Sequence, residues 1–171
     1  RERLAFRKAV TNVIEAGDGD LEPIFDVVAG IAGARHTKRG RQAVLDWLRD
    51  GAGEDPDVPD DEHPAEAMKL YLAMARGEAT PSIGYVAGQV WRHLQNDLRI
   101  AYNPASKSAA VAEALIPFDD DMKRFSYGPP AEAIARLLAL IDAGKLTLRR
   151  VDDRDIELVD DETQATFVLT I

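Results

Sequence analysis

Apolar residues recur every three or four positions along most of the chain, which predicts a succession of amphipathic helices down to about residue 144. Over 1–16, Leu4, Ala5, Ala9, Val13 and Ile14 share one face, and Gly17 supplies a stop. Asp20 is placed to cap a second helix reaching about Gly33, with Ile24, Phe25, Val28 and Ile31 inward. Thr37 is placed to cap a third, which carries Val44, Leu45, Trp47 and Leu48 before Gly51. His63-Pro64 opens a fourth helix, closed by Gly77. Met68, Leu70, Tyr71, Leu72 and Met74 make it apolar on nearly every side, a pattern that predicts burial. Thr80-Pro81 reads as a capping hydroxyl followed by proline at the first helical position. Ile83, Val86, Val90, Leu94 and Leu98 then form the cleanest stripe in the chain.

Past Asn103-Pro104 the pattern predicts only a short helical piece carrying Val111, Ala114 and Leu115, because Ile116-Pro117-Phe118 reads as the start of an irregular stretch. Gly128-Pro129-Pro130 is a sharp break, and the helix after it is expected to begin at Pro130 with Ile134, Leu137, Leu138 and Ile141 inward up to Gly144. The period then drops to two. Leu146-Thr147-Leu148, 156–159 and 165–171 read as short strands separated by acidic turns. The expected fold class is α+β: six to seven helices in a domain over 1–144 with an acidic linker at 53–63, then a short C-terminal antiparallel β meander over 145–171 in the same compact unit. The missing initiator methionine and the strand-like pattern running to Ile171 suggest a segment of a longer protein.

Composition narrows the function classes. A chain of 171 residues can bury one real core unaided. It has no cysteine, which excludes disulfide frameworks, thiolate nucleophiles and sulfur-ligated metal centres. No apolar run approaches the roughly 20 residues of a membrane span and no leader pattern opens the chain, so no membrane partner and a cytoplasmic location are expected. The net charge of -9 is concentrated in two segments. Residues 53–67 hold seven acids and no base, residues 152–171 hold seven acids and one base, and the remainder is net +4. The first segment, with Pro56 and Pro59, reads as a solvated linker. Its oxygens are out of register for a calcium loop, and no metal is expected.

Candidate chemistry is sparse. His36, His63 and His93 fall in no metal-ligand spacing, and no strand-to-helix elbow presents a serine, so no catalytic residue is assigned. His93 and Asp97, four apart, read as a surface pair. Arg35, Lys38, Arg39 and Arg41 form one basic cluster. It lacks interleaved aromatics, so nucleic acid is not expected; it is either a solvated turn or a docking contact for an acidic partner. The Gly128-Pro129-Pro130 turn is a poor phosphate cradle, since two prolines remove N–H donors and Glu132 adds negative charge. It reads as a rigid connection, with Phe125 and Tyr127 beside Ser126 as the residues to face a flat ligand.

The run Ile116-Pro117-Phe118-Asp119-Asp120-Asp121-Met122, continuing through Phe125-Ser126-Tyr127-Gly128-Pro129-Pro130-Ala131-Glu132 into Leu137-Leu138-Ala139-Leu140-Ile141-Asp142-Ala143-Gly144, resembles a segment of bacterial FAD/NAD(P)-binding flavoproteins. There a Gly-Pro-Pro turn opens a helix that leads into strands. Lys69-Leu70-Tyr71-Leu72, Arg76-Gly77, Val90-Trp91-Arg92 and Leu98-Arg99 look like the same family's helical insertion, less specifically. The resemblance covers about 110–150, more loosely 64–103, and nothing earlier. No Gly-x-Gly-x-x-Gly occurs, so the main grip on a dinucleotide is missing from these residues. The resemblance implies an accessory helical domain, a lid or substrate-side wall, of an oxidoreductase-like protein, with no catalytic activity of its own. FAD, and NAD(P) where it is used, would belong to the parent protein and not to this segment, whose partner would be the parent's Rossmann-type dinucleotide-binding part. Ser126, Tyr127 and Gly128 are the cofactor-side candidates. The alternative is a self-contained helical interaction module that docks through the basic turn at 35–41.

Overall fold

The computed structural model describes residues 1–35, 39–59 and 63–148, and the backbone of 156–160 and 165–169. Helix α1 (Glu2–Ala16) ends where the sequence places its glycine: Gly17 is left-handed at φ 72° and its N–H donates to the Val13 carbonyl. Its buried face is Phe6, Ala9, Val10 and Val13, rotated from the expected one, so that Leu4 is 73% exposed. Asp20 accepts a hydrogen bond from the Glu22 N–H at 2.9 Å at the start of α2 (Glu22–Arg35). Helix α3 (Gly40–Arg49) buries Val44, Leu45, Trp47 and Leu48 as the spacing requires; its expected cap, Thr37, lies outside the described residues. Helix α4 (Pro64–Arg76) buries only Leu72 and Met74, short of the burial its apolar pattern predicts.

Helix α5 (Ile83–Tyr102) is the central element, with Ile83, Val86, Val90, Leu94 and Leu98 all buried. It starts two residues later than Thr80-Pro81 implies, because the Ser82 hydroxyl accepts from the Tyr85 N–H at 3.1 Å and caps it. Helix α6 (Ala109–Ser126) corrects the expectation of an irregular stretch after Ile116: it runs unbroken with Pro117 inside it. An interior proline costs roughly 3 kcal/mol. It is tolerated because Pro117 faces solvent while Val111, Leu115, Phe118 and Met122 are buried at helical spacing. Asp119 adds a tie, accepting from Trp91 Nε1 at 2.8 Å and Gln95 Nε2 at 2.7 Å. Helix α7 (Ala131–Asp142) follows Pro130 directly.

The core comes from α1, α2, α3, α5 and α6. Trp91 meets Phe6 and Phe118 edge-on, with ring centroids 5.8 and 5.3 Å away, and Phe25 closes on Phe118 at 4.8 Å. Asp97, fully buried on α5, takes ion pairs from Arg3 (2.6 Å) and Arg7 of α1. Helices α4 and α7 pack together beside this body, with Lys69 reaching Asp142 at 3.5 Å.

The α+β expectation is overturned. Among the described residues seven helices are present and helices alone build the core, so a C-terminal β meander within that unit is not supported. Leu146-Thr147-Leu148 is not a strand: a strand needs a neighbour to pair with, and these residues instead border a recess together with Pro64 and Ala65 of α4 and Ile141 of α7. The one ladder among the described residues pairs Ile156–Asp160 antiparallel with Ala165–Leu169. A lone two-stranded ribbon is no meander and builds no layer. No helix among the described residues is long and apolar enough to cross a membrane.

Candidate functional site

Two glycines on α5 set the geometry of the site. A Cβ on Gly84 would lie 2.5 Å from Asp55 Oδ2 and 2.8 Å from the Phe125 ring, and one on Gly88 would lie 2.7 Å from Phe125 Cβ. The missing side chains make a notch into which the last turn of α6 settles. Phe125 there meets Trp47 edge-on, with centroids 5.1 Å apart.

The notch also receives the acidic segment. Within 53–59 only Asp55 is buried, while Gly53, Glu54, Pro56 and Pro59 are exposed, so the acidic segment is anchored at one residue; 60–62 lie outside the described residues. Asp55 is 8% exposed, and its Oδ2 accepts from the Gly84 N–H at 3.0 Å and the Tyr71 hydroxyl at 3.4 Å. A carboxylate on the unpaired N–H groups of a helix start is favourable in both hydrogen bonding and dipole. Glu54 O accepts from Trp47 Nε1 at 3.0 Å, and Gly53 O from Arg124 at 2.7 Å. The backbone carbonyls therefore bind the segment as much as its charges do.

Between α4, α5 and the 127–130 turn lies a cleft of about 480 Å³. Helix α5 contributes Tyr85, Gln89 and Arg92, which share a face by their spacing of four and three, and α4 contributes Met68, Tyr71, Leu72 and Ala75. Tyr71 and Tyr85 stack at 6.4 Å and 28°. Arg124, Ser126, the Gly128-Pro129-Pro130 turn and Ile134 close the other side. Among the described residues no aspartate or glutamate lines this cleft, although the chain has 30 of them. Beyond Tyr71 and Arg124 a second recess does carry acids, Glu54 and Asp55.

The sequence candidates Ser126, Tyr127 and Gly128 all line the first cleft. Tyr127 is 47% exposed, whereas Ser126 is 2% exposed and its Oγ has no hydrogen-bond partner, alone in this among the buried side-chain polar atoms described. The basic turn lies elsewhere. Arg35 pairs with Glu2 at 3.4 Å, Arg39 with Asp57 at 2.6 Å and Arg41 with Asp26 at 2.6 Å; Lys38 and His36 lie outside the described residues. Asp97 is not the surface partner expected for the exposed His93. Burial alone would raise its pKa, but hydrogen bonds and charge from Arg3 and Arg7 outweigh this and hold the carboxyl below its ordinary value. Among the described residues no three histidine, aspartate or glutamate side chains gather as a metal site.

Sequence reasoning missed Tyr71, Tyr85, Gln89 and Arg92. The signal was available in part: Tyr85, Gln89 and Arg92 lie off the buried stripe of α5 and are aligned with one another. What they face could not be read from α5 alone. Comparison with known proteins finds no matching family, no similar curated protein and no solved structure of similar fold.

Proposed function

We propose that the chain is an accessory helical domain, a lid or substrate-side wall, of an FAD/NAD(P)-binding oxidoreductase-like protein, with no independent catalytic activity. One observation supports this reading: the separate stretches that carry the resemblance converge on one cleft. The turn at 126–130 forms one wall, and the opposite wall takes Tyr71 and Leu72 from α4 and Arg92 from α5. Such a domain shapes and closes a site while the hard chemistry belongs to the cofactor. FAD, and NAD(P) where it is used, would be held by the Rossmann-type part of the same parent protein. The reading places the protein in the cytoplasm.

The alternative, a module docking through the basic turn, draws less support. Arg35, Arg39 and Arg41 already share their charge with carboxylates of this chain, which weakens their pull on an acidic partner. The test is flavin content. The parent protein, purified with the sequence that flanks this chain, is expected to show flavin absorbance and to release FAD on denaturation. A colourless parent that takes up no added FAD overturns the proposal.

A further inference from the structure

We infer that the cleft between α4, α5 and the 126–130 turn binds a small anionic molecule with a planar aromatic body, its anionic group on Arg92 and a polar atom on the Ser126 hydroxyl. This goes beyond the flavoprotein reading and does not depend on it, since it concerns binding by this chain alone.

Three independent features point to such a ligand. The first is charge. In a protein of net charge -9, the cleft is lined by Arg92 and Arg124 and, among the described residues, by no carboxylate. Arg124 is partly engaged, donating to Gly53 O at 2.7 Å and lying over the Phe125 ring at 5.1 Å. Arg92 has no carboxylate partner among the described residues, and a guanidinium presents a planar fork suited to carboxylate or phosphate. The second is the orphaned Ser126 Oγ, almost wholly buried at the cleft wall. Buried polar groups are nearly always paired, so one left unpaired beside a cavity marks a position for an outside partner. The third is the stacked Tyr71 and Tyr85 pair, which with Met68 and Ile134 gives an apolar wall for a ring. The volume, about 480 Å³, lies in the range of small-molecule sites. The neighbouring recess carries Glu54 and Asp55, so an anionic group is directed to the Arg92 end.

The experiment is an amide NMR titration of the chain with 2-naphthoate, 2-naphthyl phosphate and the neutral 2-naphthamide. Saturable shifts are expected at Tyr85, Gln89, Arg92 and Ser126 with one or both anions, and about tenfold weaker binding of the amide. The two anions separate a carboxylate from a phosphate preference. Arg92→Gln is expected to reduce anion affinity about tenfold or more. Ser126→Ala is expected to weaken it several-fold while leaving the melting temperature unchanged or raised, because the hydroxyl it removes has no partner in the free protein. Thermal melts of both variants report folding directly. Equal binding of the amide and the anions, absence of saturable shifts at this cleft with both anions, or unchanged affinity in either variant overturns the inference.

Discussion

The main chain of Phe125 rests directly on Gly88: a Cβ there would overlap the Phe125 carbonyl oxygen and stand 2.5 Å from the carbonyl carbon. Glycine in a helix interior costs about 1 kcal/mol relative to alanine, and α5 carries Gly84 and Gly88 one turn apart. The close approach they permit seats the end of α6 on α5 and brings Ser126 to the wall of the cleft.

Gly88→Ala is therefore expected to destabilise the protein by about 1–3 kcal/mol, since backbone, unlike a flexible side-chain tip, cannot yield cheaply. Gly30→Ala is the matched control. Gly30 is exposed in α2 with nothing within 4 Å of the position a Cβ would take, so alanine there should stabilise by up to about 1 kcal/mol. Urea unfolding midpoints of the two variants should move in opposite directions, and a shift of the same sign in both would refute the notch.

Asp97 ties α5 to Arg3 and Arg7 of α1 from a fully buried position. Its folded-state pKa lies below its ordinary value, so it adds stability above the unfolded pKa, and that stability is lost as pH falls through the folded value. Asp97→Asn is expected to cost about 1–3 kcal/mol at neutral pH, with the gap from wild type closing in strong acid. Denaturant titrations at both ends of the range check this, and a gap that does not change with pH would count against the pairing.

Pro117 sits on the solvent side of α6 and withholds one N–H from the helix. Pro117→Ala restores that donor, partly offset by a more flexible unfolded chain. A net gain of about 1–2 kcal/mol is expected, read as a raised melting temperature with unchanged helical circular dichroism. A loss of stability would mean that the ring is packed and not merely tolerated.

Asp55 reaches across 29 residues to the Gly84 N–H at the start of α5. Asp55→Ala is expected to cost about 1–2 kcal/mol through loss of this cap. It should also speed amide exchange at Gly84. Asp55→Asn, which keeps an acceptor oxygen, should recover part of the loss. Wild-type exchange at Gly84 in the alanine variant would show that the carboxylate is not the cap.

The helices were legible because helical periodicity is local. The stripes of α3 and α5 and the glycine stops at Gly17 and Gly77 depend only on residues a turn or so apart, and they stand where the pattern places them. Reading failed where a remote partner outweighs the local signal. Pro117 looks like a terminator until Phe118 and Met122 are seen buried beyond it in one continuous helix, and nothing local in 53–59 shows that its Asp55 caps α5. Leu146-Thr147-Leu148 has a strand's alternation but, among the described residues, no strand to pair with.

The sequence by itself determined six to seven helical segments and the apolar stripes of α3 and α5, and it offered Ser126, Tyr127 and Gly128 as candidates. Only the tertiary structure decided that these three share a cleft with Tyr71, Tyr85 and Arg92, and that Asp97 belongs to Arg3 and Arg7. The reason is physical: spacing along one helix assigns residues to a face, but which faces meet depends on close packing between helices far apart in the chain, here on two glycines small enough to let them touch.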